Sequence, residues 1–341
     1  MIAETLAAAA PGLALVAHRE VVIGPIDAWF PLGPGDTAFV APGQAVVRGA
    51  PLADRLREPR TVVVPGPGSK GPERPGDRWT PPDGGRADDA GGVPSGELLF
   101  RAGGRWRIAA ADSSEPLDAP FPGIIREVRD GIGIRLQSPA KGIVGTEVLA
   151  GPTSGRLHVA TGPDGELRAS QVDVGAAGSI LIAGARIDAE TLTRARAVGV
   201  RGIVVAALGI KERHDFLASE RRGRAGVHGL PPFGVLVLDG AGRRPIASPI
   251  MAMLEALEGR TVAIVGRPPC LVIDDPDVEL PAPRADLVRV RSGPLAGAEG
   301  TWLGLAGPRR FPAGVMLEAG FVRFGERAPI AVPLGDLERF A

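Results

Sequence analysis

Between residues 178 and 268 the chain alternates short apolar runs with segments of helical spacing, and this constrains its fold more than any other feature. Ile180-Leu181-Ile182-Ala183 offers no polar position to turn toward water, so it reads as a strand covered on both faces. Gly202–Leu208, Phe233–Leu238 and Thr261–Val265 repeat the pattern. Between them, Asp188 stands where an N-cap belongs, before a helix to Val198 that Gly199 ends. Leu192, Ala195 and Val198 share one face of that helix. Ile210–Arg221 reads as a polar helix, and Ser248–Leu257 as a helix capped by Ser248 with proline in its first turn. Strands alternating with helices imply a parallel sheet, so residues 178–268 are expected to form a small parallel α/β domain.

The flanking sequence has a different character. The 49 glycines and 34 prolines of this 341-residue chain favour short strands and many turns. Residues 65–97 are so rich in both, and so poor in aliphatic side chains, that they read as a flexible insertion. The expected organisation is multidomain, α/β plus β. A β-rich part at 1–64 is continued at 98–177 after the insertion. The α/β domain at 178–268, a linker at 269–283 and a terminal module at 284–341 follow. The apolar run Leu6–Val16 reads as a short helix.

Thirty-nine basic and 39 acidic residues balance to a net charge of zero, which counts against the whole chain as a dedicated nucleic-acid binder but leaves room for one small binding domain. The single cysteine, Cys270, rules out an internal disulfide and a thiolate metal cluster, and reads as a small buried hydrophobe. No apolar stretch approaches the roughly 20 residues of a membrane span, and a cytoplasmic location is expected. His18, His158, His214 and His228 have no metal-ligand spacing, so no metal, cofactor or catalytic residue is assigned. Asp274-Asp275-Pro276-Asp277 is an acidic turn.

Two resemblances add to this. Residues 40–53, VAPGQAVVRGAPLA, resemble one half-motif of barrel-sandwich hybrid domains, and Ala119–Val128 resembles the opening strand of the other half. The resemblance implies a barrel assembled from both sides of the insertion. Biotinyl and lipoyl carriers of that family modify a lysine, but Ala53-Asp54-Arg55 holds none and the flanks of Lys141 do not match. A structural or docking module is therefore expected. Near the C-terminus, Leu287–Val290 runs into Ser292-Gly293-Pro294-Leu295-Ala296-Gly297-Ala298-Glu299-Gly300 and a second strand. This resembles the KOW motif of SH3-like barrels in NusG- and Spt5-type elongation factors and in ribosomal proteins.

The KOW resemblance implies contact with RNA, ribosome or RNA polymerase, with protein partners at least as well supported as nucleic acid. Arg289, Arg291, Arg309 and Arg310, with Trp302 interleaved, are the expected contacts, since guanidinium and aromatic groups suit phosphates and bases. A non-catalytic adaptor follows, with the question of an enzyme left open. A second reading places an anion, phosphate or nucleotide, beyond the carboxyl ends of the parallel strands, at Lys211, Asp239, Gly240, Arg243 and Arg244, with Arg213, Arg221, Arg222 and Arg224 nearby. No GxGxxG fingerprint follows the first strand, which argues against a dinucleotide. A third reading is a structural subunit that self-assembles as a homo-oligomer.

Overall fold

The computed structural model describes residues 11–56, 61–64, 74–80, 96–109, 114–226 and 232–340. It is mostly β-sheet, with three α-helices among the described residues: α1 (Ala189–Ala197), α2 (Ile210–Gly226) and α3 (Ser248–Ala256).

A nine-stranded sheet is the spine. Four neighbouring strands are parallel: Thr153–Val159, Ser179–Ile182, Gly202–Val205 and Gly234–Val237. Their side chains alternate between two cores. Ile180, Ile182, Val204 and Leu236 face α3, while Leu181, Ile203, Val205, Val235 and Val237 face α1 and α2. Helices thus cover both faces, as a parallel sheet requires. Asp188 caps α1 by accepting the Thr191 N–H at 2.7 Å, and Gly199 ends it at φ 87°.

Three details depart from the sequence expectation. Thr261–Gly266 runs antiparallel to Thr153–Val159, and Thr153–Val159, read as part of the β-rich region, supplies the fourth parallel strand. Lys141–Val144, Glu147–Ala150, Pro269–Ile273 and even Val22–Ile23 join the same sheet, so it extends well outside 178–268. Helix α2 runs on to Gly226, which places Arg221, Arg222 and Arg224 within the helix rather than in a loop. Apolar runs report burial, not strand direction, so pairing sense was not readable from them.

Residues 40–53 and 119–128 meet. Gly123 pairs with Val46, Gly43 donates its N–H to the Ile125 carbonyl at 2.8 Å, and Ala119 donates to Ala50 at 2.8 Å. The four-stranded sheet of Ile26–Pro31, Gly133–Ser138, Gly123–Arg129 and Ala45–Val46 shares a core with the strands Pro51–Leu56 and Ser114–Asp118. Ala263, Val265, Cys270 and Val272 of the spine close that core. Cys270 is fully buried, and burial pushes its thiol up to about 12. Native protein is therefore expected to resist thiol reagents, labelling only as fast as it unfolds; rapid stoichiometric labelling in native buffer would contradict this.

Part of the segment read as a flexible insertion is ordered. Arg78–Trp79 pairs with Gly96–Ala102 in a four-stranded sheet, and Trp79, Leu98, Trp106, Ile108 and Val64 form its small core. One tryptophan supplies the apolar area that the missing aliphatics do not. Residues 65–73 and 81–95 lie outside the described residues, as do residues 1–10; of the apolar run Leu6–Val16, Leu13–Leu15 is a 3₁₀ turn.

The terminal module is a six-stranded sheet of Leu287–Val290, Glu299–Arg310, Met316–Arg323, Ile330–Pro333 and Leu337–Phe340, to which Ala17–Arg19 adds in parallel from the other end of the chain. Leu13 and Val16 enter its core. The module is therefore not made by 284–341 alone. Among the described residues no helix is long and apolar enough to cross a membrane.

Candidate functional site

The strand Gly234–Val237 ends in Leu238-Asp239-Gly240, at the edge where ligands of open parallel sheets bind. The terminal module seats on this edge. Arg289, on its first strand, reaches across: Nη1 and Nη2 donate to the two Asp239 oxygens at 3.0 and 2.7 Å, and Nε donates to Glu338 Oε1 at 2.7 Å. Arg19, from the N-terminal strand, completes the cluster with an ion pair to Asp239 and a 2.9 Å bond from Nη2 to the Leu238 carbonyl. The Arg289 and Asp239 side chains are each 1% exposed. Phe340 covers both guanidinium groups, with its ring centroid 6.0 Å from Arg19 and 5.4 Å from Arg289.

The electrostatics follow from this closure. Burial pushes the Asp239 carboxyl up, but the hydrogen bonds and charges of Arg289 and Arg19 outweigh it and hold the group below its ordinary value. Burial acts downward on the Arg289 guanidinium, and the two carboxylates more than reverse it. Two arginines and two carboxylates make a neutral clamp that joins the N-terminal strand, the α/β edge and the terminal module.

This overturns two expected contacts. Arg289 is spent inside the clamp and presents nothing to RNA. Trp302 is 4% exposed in the core of the terminal module, its ring lies over Gly320, and its Nε1 donates to the Pro11 carbonyl at 3.3 Å. Trp302 takes the inward face of an alternating strand, a choice that a register of one decides, whereas Leu287–Val290 is buried along its whole length because the α/β edge covers the face that Arg289 takes. Arg291, Arg309 and Arg310 are exposed, with Arg309 stacked 5.5 Å from the Phe321 ring centroid.

The expected anion set divides as well. Asp239 is the hub of the clamp, not a free carboxylate, and Gly240 turns the chain at φ 94°. Arg243 is exposed on the following loop, while Lys211 and Arg213 lie in the first turn of α2, with Arg213 paired to Glu147. Only Arg244 and Asp239 of that set line the cleft of about 440 Å³ between the sheet edge and the terminal module, which Thr146, Arg291 and Ser292 also line.

The Gly293–Gly300 turn contributes packing here. Gly297, at φ 89°, lies so close to Arg244 that a Cβ would sit 3.0 Å from the arginine's own Cβ. Glu299 accepts the Ser248 N–H at 2.8 Å and so caps α3 from the other module; Ser248 itself makes no capping bond, contrary to expectation. The acidic turn is tied down by arginines, Arg48 to Asp274 and Arg260 to Asp275. His158 pairs with Glu258, His18 and His214 are exposed, and His228 lies outside the described residues. Among the described residues no three His, Cys, Asp or Glu side chains gather as a metal site. No protein-family model matches this chain, and no curated protein is significantly similar to it.

Proposed function

We propose that the chain is a non-catalytic adaptor of the transcription or translation machinery, whose terminal module docks a protein partner through its long hairpin. The observation that carries this is the hairpin Glu299–Arg310 and Met316–Arg323. It leaves Leu303, Leu305, Val315, Met316 and Leu317 exposed, Met316 by 58%. Arg309 lies opposite Leu317 and Arg310 opposite Met316. Apolar side chains interleaved with arginine suit a protein surface that is apolar and acidic. RNA is the weaker partner, since the one tryptophan available for stacking and the first arginine are both buried. The KOW resemblance supplies the class of machinery.

Capture of partners from a lysate of the source cells, with and without nuclease, tests the reading. Polymerase or ribosomal proteins retained after nuclease, and lost about tenfold in Leu317→Glu or in Arg309→Glu/Arg310→Glu, are the expected result. These positions are exposed, so the variants are expected to fold. Recovery of nucleic acid alone, or of the chain itself alone, would overturn the proposal in favour of RNA binding or self-assembly.

A further inference from the structure

The cleft beside the clamp carries more positive charge than the clamp uses. Arg19 and Arg289 are matched by Asp239 and Glu338. Arg244 and Arg291 line the same cleft, and neither has a carboxylate within salt-bridge distance among the described residues. Arg244 Nη1 reaches only the Arg291 carbonyl, at 3.5 Å, and its Nε is buried without a hydrogen-bond partner. A buried guanidinium N–H with no acceptor is costly, and two arginines lining one cleft without carboxylate partners repel. Both problems have one remedy, an oxyanion between them.

We propose that this cleft binds the phosphate group of a small phosphorylated molecule, held by Arg244 and Arg291. Guanidinium forks match phosphate oxygens in pairs, and the surplus of two charges matches a phosphate monoester dianion. Ser292 lies at the rim, its hydroxyl bonded to Asp336, and the Thr146 hydroxyl bonds to the Val237 carbonyl at 3.1 Å. The Asp336 carboxylate behind Ser292 disfavours a polyanion running on in that direction, which favours a compact ligand over a nucleic-acid strand. The site differs from the sequence expectation: Asp239 is neutralised, Lys211 lies outside, and Arg291, read as an RNA contact, becomes the second anchor. Because the two arginines come from the α/β edge and the terminal module, bound phosphate strengthens the joint between them.

Calorimetric titration of the full chain with inorganic phosphate, pyrophosphate, a nucleoside monophosphate, a sugar phosphate, citrate and a short oligoribonucleotide tests this. The expected result is saturable binding of at least one phosphorylated small molecule, weakened about tenfold or more in both Arg244→Gln and Arg291→Gln. Arg156→Gln, exposed and remote from the cleft, is expected to bind as the wild type does. Arg291 is exposed, so its variant tests the site even if Arg244→Gln fails to fold. The ranking of the organic phosphates over inorganic phosphate identifies the ligand class. Binding that persists in both variants (an adventitious ion only), binding of citrate or oligoribonucleotide alone, or no binding at all would overturn the proposal. The hairpin variants leave this cleft intact, so failure of the docking reading and failure of the phosphate site are distinguishable.

Discussion

Arg289→Ala is expected to destabilise the protein by about 3–5 kcal/mol, measured by denaturant unfolding, because it leaves two buried carboxylates to share the one remaining arginine, Arg19. Asp239 keeps Arg19, but Glu338 loses the Nε donor and Asp239 loses a bidentate partner. Arg289→Lys should recover only part of the loss, since an ammonium cannot span both carboxylates as a planar fork does. The clamp also predicts the pH response. The folded Asp239 carboxyl titrates below its ordinary value of 3.8, so its contribution is full above that value and is lost as pH falls through the folded one. The wild type should therefore lose its advantage over Arg289→Ala in acid, below about pH 4, and keep it at neutral pH. Unchanged stability at neutral pH together with a loss of partner binding would return Arg289 to the role of a contact.

Trp302→Ala is expected to cost about 3–5 kcal/mol as well, by leaving a cavity in the terminal module. Its ring fills the space between Val288, Val290, Val322, Val332 and Leu337, and lies so close to Gly320 that a Cβ there would sit 1.9 Å from it. Gly320→Val should reproduce much of the effect from the other side of the contact, while Trp302→Phe should cost less, since it leaves a smaller void. Leu13 and Val16 share this core, so the variant should also loosen the N-terminal strand. Hydrogen exchange at Ala17–Arg19 reports that directly. A fully stable Trp302→Ala with impaired RNA binding would mean that the ring is a stacking surface after all.

Local elements were legible where a local cause made them. Asp188 caps α1 because its carboxylate needs only the amide three residues on, and Gly199 ends the helix because the turn needs a positive φ. The Gly293–Gly300 turn and the glycine-punctuated strands at 40–53 and 119–128 were readable for the same reason. Trp79 was missed because a composition average dilutes one large aromatic among many glycines and prolines. Arg289 and Trp302 were assigned by residue type, and type says neither which face of a strand a residue takes, as for Trp302, nor whether a distant part of the chain covers that face, as for Arg289.

The sequence alone determined that apolar runs between 178 and 268 would be buried strands separated by helices, and that glycine turns would join short strands elsewhere. Only the tertiary structure decided which strands pair, in which sense, and that both ends of the chain meet at one sheet edge. Strand pairing is settled by contacts between residues far apart in sequence: Arg19, Asp239, Arg289 and Glu338 come from three separate regions of the chain. A charge can be read from a sequence one residue at a time. Whether it is a solvated contact, half of a buried clamp or an unmatched anchor depends on what the fold places beside it.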